Sequence, residues 1–371
     1  MNAVPLRILH VCTTMNMGGA ETMLMNYYRH IDTALLQFDF LLHREEQGFY
    51  EAEILRRGGR IYRLPALTLR SAPGYPGHIR HFLREHPEYD CIHIHSSGVA
   101  FFVARAAHRL GRKVIIQHAH ACARDCYDLT TPIRFFCKIA TRRYLTHFFG
   151  CGTQAAAWLF GRANAAQAII LPNAIETERF RYSPAIRTEQ RKKYGWENNW
   201  VIGNVARFCP QKNHFRMLRI FAAVLRRAPH AILVLVAEKM GYYEELRAAA
   251  EQMGLSKHIV FTGGRQDVAE LLQAFDVFLF PSLFEGLSVA MVEAQAAGLH
   301  IVTSDGVARE SALCEELVDF VPLARTDEDW AEYILRPYNR QDTHDRICRK
   351  GYDIAENARL LTSFYCRHLQ Q

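Results

Sequence analysis

Several features that mark other classes of protein are missing from this sequence of 371 residues. Its longest apolar run, residues 231–237, is far shorter than the roughly 18 residues that a helix needs to cross a bilayer. Ten cysteines are scattered without a Cys-x-x-Cys pair, which argues against a disulfide framework and favours a reducing compartment. Residues 1–6 are too short and polar for a signal peptide before the first predicted strand, so we expect a cytoplasmic protein.

Two nucleotide-binding signatures are also absent. Neither G-x-G-x-x-G nor G-x-x-x-x-G-K-[ST] occurs, which removes the main support for a nicotinamide dehydrogenase or a P-loop NTPase. The only D-x-D motif, residues 327–329, lies in an acidic segment before Trp330. We expect it to begin a helix rather than to hold a metal.

Positive charge is in modest excess and unevenly distributed. The formal net charge is +7, and residues 1–183 carry 22 Lys and Arg against 14 Asp and Glu, so the remainder is almost neutral. This excess is too diffuse to predict nucleic-acid binding. It suits an anionic substrate or an anionic membrane surface.

Short apolar runs alternate with longer amphipathic segments along most of the chain. This pattern predicts parallel sheets covered by helices on both faces, that is, an α/β fold. The alternation pauses in residues 172–199 and then resumes, so we expect two doubly wound domains, residues 1–184 and 185–354. A final helix within residues 355–371 could pack back on the first domain. In such chains the ligand usually lies in a central cleft that both domains face, at the carboxyl ends of the strands.

One candidate phosphate-binding loop follows the first strand of the second domain. Arg207 and Lys212 lie five residues apart in a proline-containing loop just before a helix. Two cations and a helix N-terminus at the carboxyl end of a sheet suit a diphosphate. A solvated basic loop is the alternative interpretation.

A second candidate loop follows a later strand of the same domain. Gly286 would let the backbone approach a ligand, and the amides of Leu287 and Ser288 would be unpaired donors at the start of a helix. Glu285 and Glu293 are about two helical turns apart, so both could reach one ligand at different depths. A carboxylate can accept hydrogen bonds from two adjacent hydroxyls, as on a ribose or a hexose. The alternative is a helix-capping acid and a surface glutamate.

With these motifs, the sequence resembles the retaining glycosyltransferases of family 4, which have two Rossmann-like domains in the GT-B fold. The segments that carry the resemblance are Gly18 to Glu21, Leu171 to Glu176, Arg207 with Lys212, and the E-x7-E pair Glu285 and Glu293. Ala174 and Glu176 replace a usual glycine and aspartate. The resemblance covers nearly the whole chain.

The resemblance implies a role for each motif. Glu285 would contact hydroxyls of the donor sugar, the amides of residues 286–288 the distal phosphate, and Glu293 the ribose of the nucleotide. Arg207 and Lys212 would neutralise the leaving diphosphate, so that neither a metal nor a cofactor is required. The glycine loop of Gly18 and Gly19 would also lie on the donor.

Histidines at predicted strand ends in the first domain are further candidates. The resemblance implies that a histidine beside the reacting carbon donates to a sugar hydroxyl or to the departing phosphate, with His118 the first choice and His120 the second. His95, which ends the preceding strand, is a weaker acceptor-side candidate, as is His120. Cys122 and Cys126 complete a possible zinc set with these histidines, but their spacing is helical and we do not favour a metal.

The segment of residues 132–149 could touch a membrane. Arg134, Lys138 and Arg142 recur every four residues, and four aromatic residues are interleaved with them: Phe135, Phe136, Tyr144 and Phe148. Such a helix could lie on an anionic bilayer, and this would make the protein peripheral on the inner face of the membrane. An ordinary core-facing helix is the alternative.

The resulting functional expectation is a retaining, metal-independent glycosyltransferase. It would move a sugar from a nucleotide-diphosphate sugar to a hydroxyl acceptor, in the synthesis of cell-surface polysaccharide or lipid-linked glycan. A nucleotide-sugar 2-epimerase of the same architecture is the alternative, but it would need cleft carboxylates other than the E-x7-E pair. A protein that only binds nucleotide sugar is less favoured, because all four charged residues are present.

Overall fold

The computed structural model describes residues 4–68, 71–120 and 131–370. The chain forms two compact units, one of Met1–Ala174 with Ile354–Gln371 and the other of Ile175–Asp353. This division falls ahead of the boundary expected at residue 184. The helix of residues 184–194 belongs to the second unit because Arg187 and Arg191 both bind Asp276 there. The last helix belongs to the first unit.

The first unit is built on a seven-stranded, wholly parallel sheet in the order β3-β2-β1-β4-β5-β6-β7. Its strands are β1 (Leu6–Val11), β2 (Leu36–Leu42), β3 (Ile61–Arg63), β4 (Cys91–Ile94), β5 (Val114–Ala119), β6 (His147–Gly150) and β7 (Ile169–Ile170). Its helices are α1 (Gly19–His30), α2 (Glu51–Arg56), α3 (Tyr75–Glu85), α4 (Ala100–Arg109), α5 (Thr131–Thr141), α6 (Thr153–Ala165) and α15 (Ile354–Leu369).

The second unit has a six-stranded, wholly parallel sheet in the order β10-β9-β8-β11-β12-β13. Its strands are β8 (Trp200–Val205), β9 (Ala231–Val236), β10 (Ile259–Phe261), β11 (Val277–Phe280), β12 (His300–Ser304) and β13 (Val318–Val321). Its helices are α7 (Thr177–Phe180), α8 (Pro184–Tyr194), α9 (His214–Arg227), α10 (Tyr243–Gln252), α11 (Val268–Ala274), α12 (Val289–Ala296), α13 (Asp327–Ile334) and α14 (His344–Arg349). The expected class, two doubly wound α/β domains, is confirmed.

The two faces of the first sheet differ in composition. One face is aliphatic and packs on α3 and α4, with Leu9, Ile92 and Ile115 fully buried. The opposite face carries histidine and aromatic rings, and we call it the ring-lined face. Tyr365 of α15 reaches this face, where its ring lies 6.2 Å from that of Phe38, and α15 also packs against α1. Because side chains alternate along a strand, each residue of the sheet points either to the aliphatic face or to the ring-lined face.

The strand order reverses at one place in each sheet, between β1 and β4 and between β8 and β11. At such a switch point the connections leave the sheet in opposite directions and open a crevice at the carboxyl ends of the strands. The candidate loops of the second unit follow β8 and β11. They therefore leave adjacent strands, although more than seventy residues separate them in the sequence.

Candidate functional site

The two loops at the switch point of the second sheet are joined by backbone and side-chain hydrogen bonds. Leu283 N donates to Gln211 O at 2.8 Å, and Asn213 Nδ2 donates to Pro281 O at 3.1 Å. Gln211 Nε2 also donates to Phe284 O at 2.9 Å. The sheet topology thus brings the two motifs into one site with a fixed separation.

Lys212 and Glu285, one from each loop, form an ion pair. Lys212 Nζ donates to Glu285 Oε1 at 2.5 Å, and Gln211 Nε2 donates to the same oxygen at 2.9 Å. The two charged side chains are only 14% and 11% exposed. Because the pair is largely shielded from water, loss of either charge would leave the other buried and unpaired, at a high cost in free energy. Arg207 lies on the same loop but is exposed, and it forms no ion pair within the described part of the chain.

The loop that carries Lys212 has an uncommon backbone conformation. Asn213 has φ 57° and is the one non-glycine residue with positive φ in the described ranges. Asparagine tolerates this left-handed region better than most residues. The conformation turns the chain directly into α9, so Lys212 is held at the helix start.

The loop that carries Glu285 is fixed from the opposite side by the segment after β12. Glu285 N donates to Gly306 O at 3.1 Å, and Ala308 N donates to Glu285 O at 3.0 Å. A Cβ atom on Gly306 would lie 2.2 Å from Leu283 O, so only glycine permits this approach. Ser311 Oγ donates to Gly286 O at 3.0 Å. These contacts rigidify the backbone that presents Gly286.

The helix predicted after this loop is α12, which begins at Val289 with Ser288 as its N-cap. The Ser288 side chain accepts no capping hydrogen bond from α12. An uncapped helix start presents backbone donors and a positive dipole end, which suit a phosphate. Leu287 and Ser288 lie at this start of α12.

Glu293 is buried within α12, only 8% exposed. Burial raises the pKa of its carboxyl to about 8, and the opposing charge of Arg179 on α7 limits that rise. No hydrogen bond or ion pair to its carboxyl forms among the described residues. A buried carboxyl in this state is costly and is a candidate for hydroxyl recognition.

Sequence reasoning missed two residues at this site, Arg179 and His214. Arg179 comes from the segment read as a linker and donates to Gln266 O at 2.8 Å. His214 begins α9, is 1% exposed, and lies 2.9 Å from Tyr242 Oη through its Nδ1. Burial and the charge of Lys212 lower the pKa of His214 to about 3, so it stays neutral. In the sequence, the position of this histidine two residues after Lys212 could have indicated that it belongs to the site.

The glycine loop of the first unit lies at the switch point between β1 and β4. Gly18 is the N-cap of α1, which begins at Gly19, and open space surrounds the position of a Cβ on Gly19. Packing therefore does not demand glycine at Gly19. A small pocket of mixed polar and apolar lining opens at the same strand ends and is lined by Cys12, Thr13, Ala20, Glu21, Leu24, His95 and Ser96.

The predicted histidines occupy different depths on the ring-lined face of the first sheet. His118 is 1% exposed, and its Nδ1 lies 3.3 Å from His93 Nε2. His120 follows the end of β5 and is half-buried, with its Nε2 2.7 Å from His95 Nδ1. Burial lowers the pKa of His120 to about 4 and those of His95 and His118 well below their ordinary value. The three rings are therefore neutral.

Some of these histidines could hold a metal ion. Within the described ranges, two sets of three histidines each bring one ring nitrogen per residue within 4.8 Å of the others: His10, His93 and His95, and His95, His118 and His120. Cys122 and Cys126, considered for zinc with the second set, lie outside the described residues. The D-x-D motif begins α13 as expected, where Thr326 and Asp329 form a reciprocal capping box.

The segment proposed for membrane contact differs from a single basic helix. The helix α5 ends at Thr141, Tyr144 lies in a 3-10 turn, and Phe148 lies on β6, so the prediction of one helix was wrong there. Arg142 turns inward and donates to Leu159 O at 3.1 Å, and Lys138 lies 3.6 Å from the ring centroid of Trp158. The Arg134 side chain lies outside what the structure describes.

The outer surface of α5 is apolar instead. Four of the α5 side chains that the structure describes are exposed, and all four are apolar: Ile133 at 62%, Phe135 at 60%, Phe136 at 63% and Ile139 at 45%. Apolar exposure of this kind is typical of a surface that binds another protein or a membrane. Across the described helices, none is both long and apolar enough to cross a membrane.

Comparison with known proteins places these observations in a family. Residues 17–179 match the family described as Glycosyltransferase Family 4, and residues 186–353 match Glycosyl transferases group 1. Putative glycosyltransferase EpsF of Bacillus subtilis is 32% identical over 380 residues, covering 98% of this chain and 97% of EpsF.

Two further comparisons agree with this assignment. The GDP-mannose-dependent alpha-(1-6)-phosphatidylinositol monomannoside mannosyltransferase of Mycolicibacterium smegmatis is 26% identical over 277 residues, 71% of each chain. The crystal structure of Anabaena HepE in complex with UDP and glucose has a TM-score of 0.72 at 19% identity, covering 96% of this chain and 95% of HepE. The last likeness shows the fold.

Proposed function

Since the chain belongs to the group 1, or family 4, glycosyltransferases, we propose that it transfers a sugar from a nucleotide-diphosphate sugar to a hydroxyl acceptor with retention of configuration. The observation that carries the proposal is the buried Lys212–Glu285 pair at the switch point of the second sheet. The cation of this pair can bind a diphosphate, and its carboxylate can accept hydrogen bonds from sugar hydroxyls. A nucleotide-diphosphate sugar carries both kinds of group.

Donor binding would exchange the partners of this pair. The diphosphate takes the ammonium of Lys212, which releases Glu285 to accept hydrogen bonds from the sugar. The uncapped start of α12 adds the amides of Gly286 to Ser288, and exposed Arg207 is free to swing onto the diphosphate. As the bond to the leaving phosphate breaks, charge grows on oxygens that these donors already face, which is the condition for electrostatic stabilisation of the transition state. We propose that this set needs no metal.

Glu293 is assigned to the nucleotide ribose and His120 to a substrate hydroxyl. His120 is preferred to His118 because it lies beyond the strand end and is half-buried, whereas both ring edges of His118 lie in the core. For the same reason His95 is assigned to the acceptor side, where it lines the small pocket with Thr13 and Ser96. Gly18 and Gly19 are assigned to the donor, and a Cβ atom on Gly19 would have no heavy atom within 4 Å.

The donor is tested with a panel of nucleotide sugars that includes UDP-glucose and GDP-mannose, since HepE was crystallised with UDP and glucose and the mycobacterial relative uses GDP-mannose. Thermal shift identifies the ligand. NMR of the first-formed anomer during slow donor hydrolysis then shows whether configuration is retained. An inverted anomer contradicts retention, and a C2-epimerised nucleotide sugar would establish the epimerase alternative.

Matched variants test the residue assignment. Lys212→Ala and Glu285→Gln should each reduce turnover by at least about a hundredfold, because each removes a group that acts on the transition state. Lys257→Ala and Glu251→Gln, exposed residues of the same unit, should retain wild-type turnover. Wild-type rates in either site variant would refute the assignment.

We also propose that the acceptor is a glycan, either growing polysaccharide or lipid-linked, and that the protein works in the cytoplasm, bound peripherally to the membrane. The specific observation is the exposed apolar surface of α5. Phe135→Ser with Phe136→Ser should abolish co-sedimentation with anionic phospholipid vesicles, whereas Leu360→Ser on α15, which is similarly exposed at 62%, should not. Absence of vesicle binding by the unaltered protein would remove the membrane proposal and leave the donor site unaffected.

A further inference from the structure

Five histidines stand in hydrogen-bonded rows on the ring-lined face of the first sheet. They come from three adjacent strands and the residues just beyond them, and His10 and His93 are direct partners across β1 and β4. Neighbouring rings stack, with centroids 4.4 Å apart for His93 and His95 and 4.2 Å apart for His118 and His120. Of these five, the proposed function uses His120, for a substrate hydroxyl, and His95, on the acceptor side.

The rings form two separate rows. In the inner row, Tyr365 Oη lies 2.6 Å from His93 Nδ1, and His93 Nε2 lies 3.3 Å from His118 Nδ1. In the outer row, His10 Nδ1 lies 3.0 Å from His95 Nε2, and His95 Nδ1 lies 2.7 Å from His120 Nε2. The outer row therefore runs from the buried core directly to the histidine assigned to the substrate.

The outer row has only two consistent proton arrangements. Burial lowers the pKa of His10 to about 3, and His95 and His120 are also neutral, so each ring has one N–H and one lone pair. His95 uses both nitrogens, so it must donate at one and accept at the other. Reversing His95 reverses both hydrogen bonds, and with them the nitrogen of His120 that carries the proton.

The buried end of the row selects between the two arrangements. His10 Nε2 is buried without a hydrogen-bond partner. A proton on Nε2 would be a buried N–H without an acceptor, which is rarer and costs more free energy than a buried nitrogen lone pair without a donor. The proton therefore belongs on His10 Nδ1, which donates to His95 Nε2. His95 Nδ1 then donates to His120 Nε2. The remaining proton lies on His120 Nδ1, which has no hydrogen-bond partner among the described residues.

We propose that His10 and His95 are positioning residues that hold His120 as the Nδ1–H tautomer, so that it offers a hydrogen-bond donor to the substrate. This rests on the substrate role assigned to His120 above. The row transmits a structural preference at His10 to a reacting group two rings away. A metal ion in the same cluster would compete for these nitrogens, but the 2.7 Å spacing is that of a hydrogen bond and is shorter than two nitrogens bound to one zinc at 2.0–2.1 Å would show.

Asparagine and glutamine provide a matched test. The amide of asparagine reaches the position of Nδ1 of histidine, and that of glutamine the position of Nε2. His95→Asn should therefore keep the donor to His120, and His95→Gln should lose it. We expect His95→Gln to lower kcat by about tenfold or more with the KM for donor nearly unchanged, and His95→Asn to recover most of that loss. His10→Gln and His10→Asn should show the same ranking in weaker form.

The tautomer itself is read by ¹⁵N NMR of labelled histidine. The wild type should show His120 protonated on Nδ1, and His95→Gln should show a mixture. Tyr365→Phe, which alters only the inner row, should change thermal stability but neither kcat nor the His120 signal. Wild-type turnover in His95→Gln, a proton on Nε2 of His120 in the wild type, or a stoichiometric metal that is lost in His95→Gln would each overturn the proposal. If His120→Ala retains activity, the substrate role fails instead, and the NMR measurement still decides the tautomer.

Discussion

Replacing Glu293 with glutamine should stabilise the folded protein at neutral pH while it impairs donor binding. The carboxyl has a pKa of about 8 in the folded protein against 4.5 ordinarily, because it is buried. Between these pH values the folded state holds a proton that the unfolded state has released, so stability falls as pH rises through this range. One pKa unit corresponds to about 1.4 kcal/mol. At pH 7 the buried carboxyl therefore lowers the free energy of unfolding by about 3 kcal/mol, and at pH 5 by less than about 1 kcal/mol.

Denaturant unfolding followed by tryptophan fluorescence at pH values from 5 to 8.5 measures this difference. The second unit contains Trp196, Trp200 and Trp330, which report on its unfolding. The free-energy gap between Glu293→Gln and wild type should widen with pH and level off above pH 8. Exposed Glu251→Gln should show almost no gap at any pH. A gap that does not depend on pH, or a variant less stable than wild type at pH 7, would refute the reasoning.

Three further outcomes follow from the same site and sheet. If the ribose is held by ionised Glu293, donor binding near pH 7 should release about one proton, measured by calorimetry in buffers of different ionisation enthalpy. Gly306→Ala should weaken donor binding while the fold persists, because its Cβ meets Leu283 O and must displace the loop; unchanged affinity by thermal shift would contradict this. Gly203→Ala should instead destabilise the second unit by about 1–3 kcal/mol or more, since its Cβ would lie 1.9 Å from the ring of Phe275. Equal unfolding midpoints for Gly203→Ala and wild type would show that the core can absorb the methyl group.

The sequence was most informative where buried strands are continuous apolar runs. Strands such as β9, Ala231–Val236, are buried along their whole length and stand out from their amphipathic neighbours. The strand β13, Val318–Val321, has no such signal because it is a half-exposed edge strand with Asp319 inside it. Helix α6 also has a weak sequence signal. Its alanine-rich sequence has little of the periodicity that identifies an amphipathic helix.

The candidate site was predictable to the level of its loops and no further. Lys212 and Glu285 were identifiable because each follows a buried strand, and parallel strands present their carboxyl ends at one edge. Their direct pairing depends on the sheet order, which single-sequence patterns do not provide. The roles of Arg179 and Gly306 are equally long-range, because each acts on a residue far along the chain. The depth of His118 relative to His120 depends on where β5 ends.

The assignment of α15 to the first unit has a consequence for biosynthesis. During translation, the ribosome completes the entire second unit before it releases the helix that closes the ring-lined face of the first sheet. Until Tyr365 emerges, His93 lacks its hydroxyl partner and the rings of Phe38 and Phe149 lack part of their cover. Synthesis of the first unit thus begins first and ends last. In the interval, the nascent chain exposes an apolar surface that chaperones can bind. A fragment that stops before Ile354 would carry that surface permanently, even though the residues it lacks follow the second unit.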